Sequence, residues 1–306
     1  MTIFLELLLK IIPLYVLILL GFIGGKYLKV KKESIANLVI YLIAPVIFFN
    51  GVFTTKLSLS NLSLPFLIFA VCCLICLSLY LISSLFWKDN TKNMLAFISP
   101  DGNNGYFGLP VALVLFPTNI IGLYIFAGLG ILLYENTLGF FIAAKGKHTV
   151  KESLLKLLKL PLIYAVALGL IANLSGVHFG SIYTDVVTNF KGAFTILGMM
   201  IIGLGLAGII EYKFDFLFIG LSFLGKFFLW PVLALLTIFL DSHYLKFYNP
   251  DAYKILILLS VIPIAANTVS FATLLKSHPE KVAIAVLFST LFALFYVPLA
   301  VTLFIK

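Results

Sequence analysis

Ser99-Pro100-Asp101-Gly102-Asn103-Asn104-Gly105-Tyr106-Phe107-Gly108-Leu109-Pro110 interrupts a long apolar run that occupies 94–98 before it and 111–116 after it. Two prolines, three glycines, two asparagines and an aspartate extend a membrane helix only at a cost. Proline removes an amide donor and glycine leaves the backbone loose. In hydrocarbon, each freed backbone group costs several kcal/mol unless protein or water satisfies it. A break at mid-depth is therefore tolerable where it lines a cavity, and transporters build substrate sites from such discontinuous helices. The other reading is a polar loop outside the membrane that joins two shorter spans.

The composition fixes the class. Of 306 residues, 62% are hydrophobic and 11% charged, with a mean hydropathy of +1.15. A soluble domain carries about 25% charged residues. The apolar runs last roughly 20 residues each, which suits spanning helices and not barrel strands. The chain reads as an all-α integral membrane protein, with the lipid bilayer as its first partner. All 21 basic residues are lysine, and the net charge of +9 lies mainly in the connections. That charge reads as topology and headgroup contact, not nucleic-acid binding. Cys72, Cys73 and Cys76 share one apolar run, where helical neighbours have the wrong geometry for a disulfide. His148, His178, His243 and His278 fall in or beside polar connections, so no metal or other cofactor is expected. The first 24 residues form too long an apolar run for a signal peptide and read as the first span.

Ten spans are expected, at 3–25, 35–53, 62–86, 94–115, 119–143, 157–173, 187–209, 215–240, 253–275 and 280–305. Connections after the odd-numbered spans hold fourteen lysines, and the others hold only Lys56, Lys246 and Lys254. The positive-inside rule puts the lysine-rich side in the cytoplasm and both termini outside the cell (plasma or inner) membrane. The longest connection, 144–157, separates one half at 1–143 from another at 158–306. It reads either as a short helix on the anionic inner leaflet or as a plain linker.

The two halves repeat features. Span one has Pro13 and Gly21; span six has Pro161 and Gly169, at the same separation. Span four has Pro100-Asp-Gly-Asn-Asn104; span nine has Pro263-Ile-Ala-Ala-Asn267. Five spans per half is an odd number, so the second half crosses in the opposite sense. Breaks at matching positions of an inverted repeat point to a binding site. This match favours a mid-membrane break at residue 100 over a loop.

Candidate residues follow from the breaks. Asn104 and Asn267, with Asn103 and Thr268 beside them, are candidates for substrate contact. The alternative is that each amide caps a half-helix and satisfies backbone freed by a proline. Pro100 and Pro263 create the breaks, unless each only kinks a continuous helix. Half-helix N-termini add positive potential that suits a carboxylate. Asp101 and Glu135 are the carboxylates expected inside the membrane, where ionisable groups are costly and read as functional. Either suits proton carriage, while Asp101 is also a plausible cap. Lys226, midway along span eight, could meet an anion; it could equally snorkel or pair internally.

Several of these residues carry a family resemblance. Ala44-Pro45-Val-Ile-Phe-Phe49, Asn104-Gly-Tyr-Phe-Gly-Leu-Pro110, Ala266-Asn267-Thr-Val-Ser-Phe-Ala272 and the final Tyr296-Val-Pro-Leu-Ala300 resemble the auxin efflux carrier family. That family covers plant PIN-type carriers and bacterial malonate- or malate-permease-like proteins. The resemblance implies ten spans in two inverted repeats, as in the bile-acid sodium symporters, with spans four and nine crossing at their breaks. It also implies a scaffold domain and a transport domain that move as an elevator. Asp101 is not part of the family pattern, so ion coupling does not carry over. The long central loop of plant members is here only 144–157.

The expected function is secondary transport of a small organic anion, a mono- or dicarboxylate that is auxin-like or malonate- or malate-like. There is no nucleotide-binding Gly-x-x-x-x-Gly-Lys-Ser/Thr loop, so gradients would drive it, with H+ or Na+ as coupling ion. A homodimer is compatible with this reading. The alternatives are a ligand-sensing membrane module or a channel. An intramembrane enzyme is disfavoured, because an aspartyl protease needs two embedded aspartates and a metalloprotease needs embedded histidines.

Overall fold

Hydrocarbon dictates the secondary structure, because each amide must find a carbonyl within its own segment. A computed structural model describes residues 2–144, 161–208 and 214–305. Twelve helices occur among them. They are α1 (Thr2–Lys26), α2 (Lys32–Thr54), α3 (Leu59–Ser83), α4 (Thr91–Ile98), α5 (Asn104–Leu115) and α6 (Ile120–Ala143). The second half supplies α7 (Pro161–Leu174), α8 (Ser181–Ala207), α9 (Phe216–Leu245), α10 (Pro250–Val261), α11 (Thr268–Leu274) and α12 (Pro279–Phe304). Among the described residues there is no strand, only one isolated bridge.

Seven of the helices, α1, α2, α3, α6, α8, α9 and α12, are long and apolar enough to cross a membrane. α5 and α7 are shorter apolar helices. The stretches read as spans four and nine each hold two helices, α4 with α5 and α10 with α11. The connection at 144–157, apart from Ala144, and the expected start of span six lie outside the described residues. The exterior is apolar: Phe66, Leu81, Ile182 and Phe216 are all exposed. Water would penalise so large an apolar surface, whereas lipid does not.

Packing brings the halves together in exchanged pairs. α1 lies along α8, and α2 lies along α7. Small residues set these contacts, because lipid tails are as apolar as leucine and only close backbone approach adds attraction. A Cβ on Gly21 of α1 would overlap the Met200 carbonyl of α8, and one on Gly203 of α8 would overlap the Ile18 carbonyl of α1. On the other pair, a Cβ on Gly169 would lie 2.7 Å from the Phe49 carbonyl of α2. On the lysine-rich side, Lys281 at the start of α12 donates to Asp215 at 2.8 Å, and Asp215 also caps α9 through Phe218 N.

Gly203→Val should force α1 and α8 apart at a cost of about 1–3 kcal/mol. The Tm of the purified protein should fall by several degrees, whereas Gly192→Ala, which faces open space, should leave it alone. Equal melting of both variants would show that the α1–α8 contact does not limit stability.

Candidate functional site

α4 ends because Pro100 has no amide to continue the ladder. The chain then runs extended through Gly102 before α5 begins. α10 likewise stops at Val261, and α11 starts after Asn267. The two non-helical segments meet as an antiparallel bridge between Gly102 and Ile264. Asn103 N donates to Pro263 O at 2.8 Å, and Ala265 N donates to Asp101 O at 3.1 Å. Each segment thus satisfies backbone groups that the other exposes, as a low-dielectric interior requires. Gly102 is needed here, since a Cβ would lie 2.8 Å from Lys226 Nζ and 3.0 Å from Ile262.

Side chains from neighbouring helices complete the backbone bonding. Trp230 Nε1 donates to Pro100 O at 3.1 Å. The Tyr134 hydroxyl donates to Phe97 O at 2.9 Å, and Ser289 Oγ accepts from Ile264 N at 3.1 Å. Sequence reasoning did not single out Trp230, Tyr134 or Ser289. The only signal for them is the need itself: carbonyls left over at the end of α4 require buried donors, which a linear sequence does not locate.

The expected site residues fall into two sets. Asp101, Asn103, Thr268 and Lys226 are buried. Neither oxygen of Asp101 has a hydrogen-bond partner, nor does Asn103 Nδ2. Thr268 spends its hydroxyl on Ala265 O at 2.6 Å. Lys226 Nζ donates to Leu259 O at 3.3 Å, lies 5.6 Å from the Trp230 ring centroid, and is within electrostatic reach of Asp101. The second set is less enclosed. Asn104 and Asn267 are half-buried, and Glu135 is 8% exposed. Asn104 Nδ2 donates to Gly128 O at 3.0 Å, and its main-chain carbonyl accepts from the Tyr124 hydroxyl at 3.0 Å. Asn267 Nδ2 donates to Glu135 Oε1 at 2.7 Å. Beside Asn104, a Cβ on Gly105 would meet nothing within 4 Å, so there is open space at this edge. Pro100 and Pro263 contribute carbonyl oxygens, both already taken.

Asn104, Glu135 and Lys226 also share a backbone feature. Each lies in a wide π-type turn, at Asn104–Gly108, Glu135–Gly139 and Leu224–Leu229. Such turns re-aim side chains and recur at functional sites. Nothing in the sequence pattern announces them. Among the described residues, no cluster of His, Cys, Asp and Glu could hold a metal ion.

Among the described residues Lys226 is the buried cation within electrostatic reach of buried Asp101, so removing it alone leaves that carboxylate without a counter-charge. Lys226→Met should destabilise by about 3–5 kcal/mol. Lys226→Met/Asp101→Asn should regain a large part of the lost Tm. A double variant no more stable than the single one would dismiss the pairing.

The sequence profile of a family described as "Membrane transport protein" matches residues 7–301. A protein of Methanocaldococcus jannaschii described as "Uncharacterized transporter MJ1031" is 26% identical over 296 residues, covering 93% of this chain and 94% of the other. Apolar helices of spanning length, and a match across nearly the whole sequence, lead to one conclusion: this multi-pass membrane chain belongs to the membrane transport protein family, the auxin efflux carriers its motifs resemble.

Proposed function

We propose that the protein is a secondary carrier of a small organic anion, a mono- or dicarboxylate, bound where two discontinuous helices cross. The observation that carries this reading is the mutual pairing of the interrupted segments at Gly102 and Ile264. Asn104 and Asn267 follow the paired segments, both half-buried, and Asn267 bonds Glu135. α5 adds its N-terminal amides beside Asn104, a favourable environment for a carboxylate.

An inverted repeat of ten spans, with halves at 1–143 and 158–306, accounts for the packing. Exchanging the halves converts the α1–α8 pair into the α7–α2 pair. Gly21 and Gly169, each eight residues after a proline, both press on a carbonyl of the partner helix. On this reading α1, α2, α7 and α8 form a scaffold. The other helices carry the crossing and slide against it as an elevator. Tyr106 of α5, with its ring 6.4 Å from Phe194 of α8, lies on that sliding surface.

Glu135 gives a route for proton coupling. While ionised, it accepts from Asn267 and holds that amide's donors away from a substrate. A protonated carboxyl becomes a donor. It then suits the Asn267 carbonyl, and the amide can turn its NH2 toward an incoming carboxylate. Proton and anion would bind together. The site would sit in the cell membrane with both termini outside and 144–157 in the cytoplasm.

Counterflow of labelled malonate in proteoliposomes tests the carrier. Saturable exchange is expected, and a non-saturating flux would refute it. Asn104→Ala and Asn267→Ala should each weaken malonate binding roughly tenfold to a hundredfold, the loss of ~1–3 kcal/mol for one unpaired buried oxygen. Capping alone predicts a lower Tm with unchanged affinity in the folded fraction. Orientation is checked by labelling His148→Cys in sealed cells, with Cys72, Cys73 and Cys76 replaced. No labelling from outside is expected.

A further inference from the structure

A cleft of about 580 Å3 lies away from the crossing, between α3, the start of α4 and the end of α6. Its lining is of two chemical kinds. Lys88 and Lys92 line it together with the apolar Leu77, Leu138 and Phe141. Lys92 Nζ sits 5.3 Å from the Tyr80 ring centroid, and Lys88 Nζ donates to Ser84 O at 3.2 Å. These contacts hold both ammonium groups at the cleft, and among the described residues neither is paired with a carboxylate. Asp89 also lines the cleft but is otherwise engaged. Its Oδ1 accepts from Thr91 N at 3.0 Å, and its Oδ2 lies 3.4 Å from His278 Nε2. Partial burial pushes its carboxyl up, yet the Thr91 hydrogen bonds and nearby His278 and Lys281 hold it below the usual carboxylate range. Leu77 and Phe141 are exposed on the outer surface, so the apolar wall opens to lipid.

We propose that this cleft binds an anionic phospholipid, its phosphate between Lys88 and Lys92 and one acyl chain along Leu77, Leu138 and Phe141. Two cations at headgroup level beside a lipid-facing apolar wall match both parts of such a molecule. A small free anion would leave the wall unused. A zwitterionic lipid brings its own ammonium, which offsets its phosphate. The position also connects to the crossing. Asn93 at the cleft is buried and donates to Ile142 O at 2.8 Å, tying α4 to α6. α4 leads directly to Pro100. A bound lipid would therefore clamp the base of the helix that ends at the site.

The test titrates purified protein in detergent with phosphatidylglycerol, phosphatidylcholine or inorganic phosphate, and reads Tm. Phosphatidylglycerol should raise Tm by several degrees more than phosphatidylcholine, and phosphate alone should not reproduce that rise. Lys88→Gln/Lys92→Gln should lose at least half of the difference between the lipids. Lys29→Gln/Lys31→Gln, which removes the same charge elsewhere on the lysine-rich side, should keep it. Phe141→Asp, on the exposed wall, should also reduce it. Equal shifts with both lipids, an unaffected Lys88/Lys92 variant, or equal losses in both lysine pairs would overturn the proposal. So would a full effect of phosphate alone. Native mass spectrometry of the unmodified protein in an equimolar lipid mixture gives a readout independent of any variant. Preferential retention of phosphatidylglycerol is expected, and retention without preference would defeat the assignment.

Discussion

The structure depends on one constraint: a backbone amide or carbonyl inside hydrocarbon must find its partner within the protein. Seven long helices meet it internally. At residues 99–103 and 262–267 the ladder stops, and the two gaps answer each other instead, Asn103 N to Pro263 O and Ala265 N to Asp101 O. Each of these bonds adds only about 1 kcal/mol net when made. Leaving several such groups unpaired in a dry interior would cost much more. The pairing is therefore what permits the interruptions to exist, and everything placed around them follows. Trp230, Tyr134 and Ser289 are the supports such a junction needs, because the bridge alone does not reach the Pro100 and Phe97 carbonyls or the Ile264 amide.

Charge is distributed with the same economy. Lys226 is held by a carbonyl and an aromatic face, next to a carboxylate that has no hydrogen bond. An ammonium so placed can balance Asp101. The anion-binding potential of the proposed site then comes from dipoles: the amides of Asn104 and Asn267 and the N-terminal turn of α5. Dipoles attract a carboxylate without trapping it as a fixed lysine contact would. That suits a carrier, which must release what it binds.

Much of this was legible in the sequence. Composition gave the class, and the lengths of apolar runs gave the helices to within a few residues at most ends. Pro13–Gly21 and Pro161–Gly169 were visible as a repeat, and both glycines lie where helices touch through bare backbone. The spacing of Pro100 and Asn104 against Pro263 and Asn267 pointed to two segments that the structure pairs. Other features had no sequence signal. A π-type turn depends on one extra residue finding room among neighbours, so the turns at Asn104, Glu135 and Lys226 are properties of packing. The 2.7 Å bond from Asn267 to Glu135 joins residues 132 apart, on helices from different halves. Neither residue's local pattern names the other. Lys226 was read with substrate contact and internal pairing both open, and its burial beside Gly102 likewise has no signal in the local sequence.

The helix contacts differ in how closely the backbones approach. α1 with α8, and α2 with α7, meet through glycines whose hydrogens alone leave room for a partner carbonyl. Such contacts do not slide, because any shift drives Cα and side-chain atoms into the space that glycine vacates. At Gly105 the packing is open, and the contact across to α8 combines Tyr106 against Phe194 with Gly198 against the Tyr106 backbone. Ring faces have no interlocking ridges and tolerate translation at little cost. Close glycine contacts are not confined to those two helix pairs: a Cβ on Gly122 of α6 would lie 2.5 Å from the Gly51 carbonyl of α2. Asn104 and Asn267 bond to α6, through Gly128 and Glu135, while Lys32 of α2 donates to Ser270 of α11 at 3.3 Å. In the elevator proposed above, bonds between the two groups of helices, such as Tyr15 of α1 to Thr290 O of α12 at 2.6 Å, would have to break at each stroke.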